Sequence, residues 1–328
     1  MGEHSTLSRS LILLTALITI TLSYSFLLSC QHKETKKKDY LIGIINPNKG
    51  TQDINKGFIR ELRENGFVEG ENTTFLRYDN NFEIDEVIHD MVARHVDLIF
   101  TVTTPATRKA KTATREKDIP VIFAMQDPVS SGLIKSLAAP GDNLTGIQIR
   151  GSVPKTLEWM QAVSPNIKHL FVPIKYDTKA ASQSLEDLQN TASPLGLKLS
   201  VVEVNDQSEF DTALAALPED IDSIFILHSI FISSNIDKLL QTAIDKKLLI
   251  GSATADSDRG VTISYGMVAE KTGRQAGRLA SQVLHGISPA DIPSEITDFF
   301  IGVNLQTAKA TNVQIPADIL QQADIIIR

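Results

Sequence analysis

The chain has 328 residues, 42% of them hydrophobic and 22% charged, with a formal net charge of −7. That balance describes a globular protein with enough apolar material for a substantial core. The acidic sign disfavours nucleic acid or an anionic membrane face as the main partner, and a single cysteine excludes both an internal disulfide and a cysteine-pair metal site.

The cysteine, Cys30, closes an apolar run at Leu27-Leu28-Ser29-Cys30 and precedes a stretch containing Lys33, Lys36, Lys37 and Lys38. This spacing resembles a bacterial lipobox, in which the thiol is acylated before cleavage leaves it as the new N-terminus. The resemblance implies a signal peptide over 1–29, lipid attachment at Cys30, a polar tether over 30–39, and an extracytoplasmic protein anchored to the cell membrane or outer membrane. Two other readings stand beside it. The run from Leu11 to Ser29 carries no charge and approaches the roughly 20 residues of a membrane span, so an uncleaved anchor is the second. The lysines after the run would then leave the body of the protein in the cytoplasm. A free structural cysteine is the third.

From Tyr40 onward, short Ile/Val/Leu/Phe runs alternate with helical patterns, as in a parallel sheet covered on both faces. Strands are expected at Leu41–Asn46, Thr73–Tyr78, Asp97–Val102 and Ile119–Ala124. The first helix is marked by Ile54, Phe58 and Leu62, with Gly66 as its stop, and the second by Ile84, Val87, Ile88, Met91 and Val92. The Gly/Pro/Ser/Asn-rich segment Asp127–Gly146 breaks the series, with a short helical pattern around Leu133–Leu137.

A second series follows, with strands at His169–Pro173, Lys198–Val204, Ser223–His228 and Leu248–Ser252. Its helices are expected at Val153–Val163, Lys179–Ala192, Ser208–Leu217 and Ser234–Lys247, the third opened by a capping pair of Ser208 and Asp211. Trp159 reads as helix core or interdomain packing. After a run at Val261–Tyr265, the helix Val268–His285 carries Gly273 and Gly277 on one face, which would let it lie close to a sheet. Phe299–Ile327 starts like a strand, and Pro316 is placed to open a last short helix. The fold class is α/β, with two doubly wound parallel-sheet domains.

No G-x-G-x-x-G, Walker or H-E-x-x-H motif occurs, the seven histidines are scattered, and no cofactor or metal is implied. Candidate ligand-binding residues lie instead at strand ends, where open α/β sheets bind ligands. They are Asn46, Thr103, Thr104, Pro105, Asp127, Tyr176, His228, Ser229, Thr254 and Asp256. Thr104 reads as an N-cap with Pro105 first in the helix, a turn whose free N–H groups suit a carboxylate, although the same residues also begin ordinary helices. Asp127 can accept from an ammonium or initiate a turn before Pro128. His228 reads equally as a ligand contact and as a satisfied structural histidine, and the polar turn of Thr254, Asp256 and Asp258 reads first as a solvated loop.

Several motifs together resemble the tryptophan/tyrosine-type substrate-binding lipoproteins of ABC importers. They are Gly57-Phe58, Pro105-Ala106, Ile119–Phe123 through Asp127-Pro128-Val129, Gly132–Leu137, Pro140–Gly146, Tyr265-Gly266, Gly273–Gly277 and Asp291-Ile292-Pro293. The likeness runs from Tyr40 to Ala323 and implies a type I periplasmic-binding-protein fold. Domain I would be 40–147 plus 265–290 and domain II 148–264 plus 291–328, joined by a three-segment hinge. It also implies a monomer that holds a small ligand in the interdomain cleft and docks on an ABC permease. The family's turn at Thr103–Ala106 would take an amino-acid carboxylate. The chain departs from the family at His228-Ser229-Ile230 and Ala253-Thr254-Ala255, where members commonly carry acidic or amide groups. The ligand is therefore expected only to be small and polar, with an amino acid as one case. The alternatives are a ligand-sensing clamp for a membrane signalling protein, and an enzyme on the same scaffold with His228, Asp127 or Asp256 as base.

Overall fold

The computed structural model describes residues 39–47, 51–78, 83–151, 153–177 and 179–328. Cys30, the signal segment and nearly all of the tether lie outside them. The first series runs β1 (Tyr40–Ile45), α1 (Gln52–Glu64), β2 (Thr73–Tyr78), α2 (Ile84–Ala93), β3 (Leu98–Val102), α3 (Thr104–Thr114), β4 (Val121–Gln126) and β5 (Leu144–Ile149). The second runs α4 (Val153–Val163), β6 (His169–Ile174), α5 (Lys179–Ala192), β7 (Lys198–Glu203), α6 (Gln207–Ala215), β8 (Ser223–Ile226), α7 (Ile230–Ser234), α8 (Ile236–Lys246), β9 (Leu249–Ser252) and β10 (Ile263–Gly266). The chain ends with α9 (Ala269–Leu284), β11 (Glu295–Ile296), β12 (Phe300–Asn304), α10 (Leu305–Thr311), α11 (Ala317–Gln322) and β13 (Ile325–Ile327).

These strands form two sheets within the single unit Tyr40–Arg328. The first has the order β11-β5-β4-β3-β1-β2 and the second β13-β12-β10-β9-β8-β6-β7. Every pairing is parallel except β10 with β12. Runs such as Leu98–Val102 and His169–Ile174 are buried along their whole length, because helices cover both faces of a parallel sheet. On one face of the first sheet Phe58 of α1 stacks on Phe100 of β3, 4.1 Å between centroids; Met91 and Phe123 fill the other face. Trp159 is partly buried against the second core, with Lys155 Nζ 5.5 Å from its ring centroid. Among the described residues no helix is long and apolar enough to cross a membrane.

The chain passes between the sheets three times, after β5, after β10 and after β11. The crossings differ from the expected boundaries by a few residues. β5 continues to Ile149, and β10 holds Tyr265-Gly266 in the second sheet. Glu295-Ile296 pair with Ile147-Gln148, and Thr145 Oγ1 donates to the Ile292 carbonyl at 2.8 Å, so 292–296 lie with the first sheet.

Three local expectations also change. Residues 133–137 form bends and irregular backbone rather than a helix, following Gly132 at φ +70°. The cap of α6 is Asp206, which accepts from Glu209 N at 2.9 Å while Glu209 accepts from Asn205 N at 2.8 Å; Asp211 instead pairs with Lys238. The glycines of α9 face a helix, not a sheet: a Cβ at Gly273 would lie 2.0 Å from the Ile54 carbonyl oxygen, and one at Gly57 1.9 Å from that of Glu270. α1 and α9 therefore meet backbone to backbone. Across that seam the Arg274 guanidinium, helped by Arg60, holds the Glu64 carboxyl down to about 2.

Candidate functional site

The C-terminal ends of β3, β4 and β5 and of β8 open onto one cleft of about 1340 Å³ between the two sheets. A smaller hollow of about 610 Å³ is lined by Asp97, Pro120 and Asn143, at the opposite ends of the first sheet's strands. Ligands of open α/β sheets sit at the C-terminal ends. The larger cleft also adjoins two buried polar atoms that lack partners, Thr103 Oγ1 and His228 Nδ1.

On the first wall the chain leaves β3 through Thr103, which caps α3; Thr104 and Pro105 are the first two helical residues, so the helix starts one residue earlier than the sequence suggested. Thr103 has φ +92° and ψ +150°, a combination that β-branched residues almost never adopt. Its hydroxyl is buried with no hydrogen-bond partner. Its carbonyl accepts from Thr107 Oγ1 at 2.8 Å, which fixes the turn from behind. Thr104 Oγ1 donates to the Gln126 carbonyl at 3.4 Å, leaving the first-turn N–H groups without helical acceptors. Asp127, also with positive φ (+46°), is exposed at the end of β4 and lines the cleft. Arg108, Lys109, Gln148 and Arg150 complete this wall.

On the second wall stand α5, through Ser182–Ser184, Glu186 and Asp187, and His228 just past β8. The Nδ1 of His228 is buried without a partner. Burial holds the imidazole below the ordinary histidine value, and the Asp256 and Asp187 carboxylates offset part of that effect. Neutral imidazole at this position can donate or accept, according to its tautomer.

Four of the ten candidates, Thr104, Pro105, Asp127 and His228, line the cleft, and Thr103 adjoins it. The other five do not line it. Asn46 is 1% exposed and donates to Thr51 O and Asn55 Oδ1 within the β1–α1 connection. Ser229 caps α7, accepting from Ile232 N and donating to Asp177. Asp256 is buried and accepts from the hydroxyls of Ser252 and Thr254, so both Thr254 and Asp256 are engaged in their own turn. Tyr176 stands 50% exposed after β6. The sequence reading missed Gln148 and Arg150 because it missed β5, and it missed Asp187 because a helix-surface acid carries no local signal. Among the described residues no cluster of His, Cys, Asp or Glu is arranged to hold a metal ion.

Two parallel-dominated α/β lobes around a polar cleft are the architecture of a periplasmic-type binding protein. The chain belongs to the ABC transporter substrate binding protein family, whose model matches residues 42–327. A tyrosine-binding protein of Clostridioides difficile is 30% identical over 295 residues, covering 87% of this chain and 85% of that one. The ligand-free, open structure of a substrate binding protein with adhesive properties from Clostridium difficile has a TM-score of 0.73 at 25% identity, over 89% and 99% of the two chains. A Streptococcus pneumonia protein in complex with L-Trp shares the fold, with a TM-score of 0.70 at 24% identity over 88% and 100%. The protein is thus the extracytoplasmic substrate-binding component of an ABC transporter, with a small molecule and the transporter's permease as partners. The family's role is solute binding rather than catalysis.

Proposed function

We propose that the protein is a lipoprotein, anchored through Cys30, that captures a small polar solute, in particular an amino acid, by closing its two lobes. The observation that carries the capture reading is the pair of unpartnered buried polar atoms, Thr103 Oγ1 on one side of the cleft and His228 Nδ1 on the other. A buried polar group without a partner costs about 1–3 kcal/mol, which a bridging ligand would recover. At about 1340 Å³ the cleft exceeds the roughly 300–1,000 Å³ of a formed small-molecule site, which supports an open state that ligand narrows by binding the closed state better. The C. difficile relative named for tyrosine and the L-Trp complex support an amino acid as the ligand class. The lipobox-like Leu27–Cys30 supports the anchor.

Calorimetric titration of amino acids and other small polar solutes into the dialysed protein tests the capture. A dissociation constant near 1 μM, about −8 kcal/mol, is expected for one class; heat-silent titrations throughout refute it. Cys30→Ser is expected to abolish lipid labelling and leave the dissociation constant unchanged. Continued labelling of that variant would refute the anchor.

A further inference from the structure

Acids line both walls of the cleft, Asp127 on the first and Glu186 and Asp187 on the second, whereas its basic side chains all stand on the first. On the first, Arg108 is tied to the Ser131 carbonyl at 2.9 Å and Lys109 to Asp85 at 2.6 Å. Arg150, exposed at the end of β5, has no partner among the described residues. On the second wall the lining acids are Glu186 and Asp187 of α5. They are not equivalent. Glu186 is exposed, whereas Asp187 is partly buried. One Asp187 oxygen accepts from Gln183 Nε2 at 3.1 Å, and the other has no partner among the described residues. The carboxylate is close enough to His228 to act on its imidazole.

The buried acid of this lobe, Asp256, is already held by Ser252, Thr254 and Arg259. A cation enclosed by lobe closure loses its water and is costly without a carboxylate beside it. Of the two second-wall acids, Asp187 is the one partly withdrawn from water, and one of its oxygens is still to spare.

We propose that Asp187 is the counter-charge for the ligand's ammonium, with His228 Nδ1 beside it, so that the cleft selects a zwitterion whose carboxylate faces the start of α3 and Arg150. This rests on the capture reading and adds the second-wall residue that takes the ligand's ammonium. Neutral polyols and simple carboxylates lack one end of that pattern and are excluded by it. The functional residue is on a helix flank rather than at a strand end, which is why the strand-end search passed over it.

The test compares wild type, Asp187→Asn and, as a surface control on the same lobe, Asp245→Asn, by calorimetric titration with the standard L-amino acids, myo-inositol and benzoate. At least one amino acid is expected to bind wild type. Asp187→Asn should weaken it about thirtyfold or more, the range for losing a charged partner of a buried ion, and Asp245→Asn by less than about threefold. An unchanged ligand-free melting temperature shows that Asp187→Asn is folded. Independently of any variant, the analogue of the bound amino acid lacking its ammonium should bind wild type at least about a hundredfold more weakly.

The inference is overturned if Asp187→Asn keeps the amino-acid affinity within about threefold, or if myo-inositol or benzoate binds wild type more tightly than every amino acid. In either case a ligand still binds and the capture reading stands. If no probe binds and the protein carries none from its source, both fail together.

Discussion

Replacing Thr103 by glycine is expected to stabilise the ligand-free protein and weaken ligand binding at the same time. At φ +92° and ψ +150° the threonine occupies a region used almost only by glycine, at a cost of about 1–3 kcal/mol. Its unpartnered hydroxyl adds about 1–3 kcal/mol. Thr103→Gly removes both and returns about 0.4–1 kcal/mol through the greater freedom of the unfolded chain. Since the two terms share one residue and do not add fully, the expected net gain is about 1–3 kcal/mol. At about 2–4 °C per kcal/mol for a protein of this size class, the melting temperature should rise by about 2–12 °C. The same substitution deletes a hydroxyl free to bond a ligand at the start of α3, and affinity should fall about tenfold. Scanning calorimetry and titration on the same preparations read both effects. A glycine variant that melts below wild type, or binds as tightly, would refute the reasoning.

Gly273→Ala places a methyl group where the Ile54 carbonyl stands 2.0 Å away; as backbone cannot rotate aside, α1 and α9 must separate, at about 1–3 kcal/mol, seen as a lower denaturation midpoint. His228 should remain neutral as pH falls through the ordinary histidine range, its NMR midpoint lying below 6.5. Because the folded value is depressed, its contribution to stability is complete above pH 6.5 and declines below it, as the unfolded chain takes up a proton that the folded one refuses. Replacing His228 by glutamine should remove that part of the acid-side slope. Asp187→Asn should move the His228 midpoint lower still, by deleting a nearby negative charge; a midpoint that rises would contradict the placement of Asp187.

Strands with continuous apolar runs were legible because burial on both faces leaves a simple signature, and β3 and β6 matched to within one residue; the edge strand Thr73–Tyr78, with alternating burial, matched residue for residue. β5 was not, since Leu-Thr-Gly-Ile-Gln-Ile mixes polar residues into a buried strand. Thr145 there satisfies its hydroxyl on Ile292, and Gly146 sits where a Cβ would meet Phe123 O at 2.2 Å. Both reasons are tertiary and leave no local pattern. The α6 start was displaced for a similar reason, because Ser208 and Asp206 are both capping residues by type and only the bond to Glu209 N decides between them. Of the strand-end candidates, Thr104, Pro105, Asp127 and His228 line the cleft. Ser229, Thr254 and Asp256 do not, because their polar atoms are taken up by neighbouring groups. What distinguishes the two groups is the presence of a local partner, which spacing along a chain does not reveal.

Native mass spectrometry of the protein as purified without residues 1–29 tests the central claim, capture of one small solute between the lobes, most directly. The predicted result is a one-to-one, non-covalent adduct that is lost on denaturation and identified as a zwitterionic small molecule. A bare protein mass, together with a melting temperature that no small polar solute raises, would contradict it.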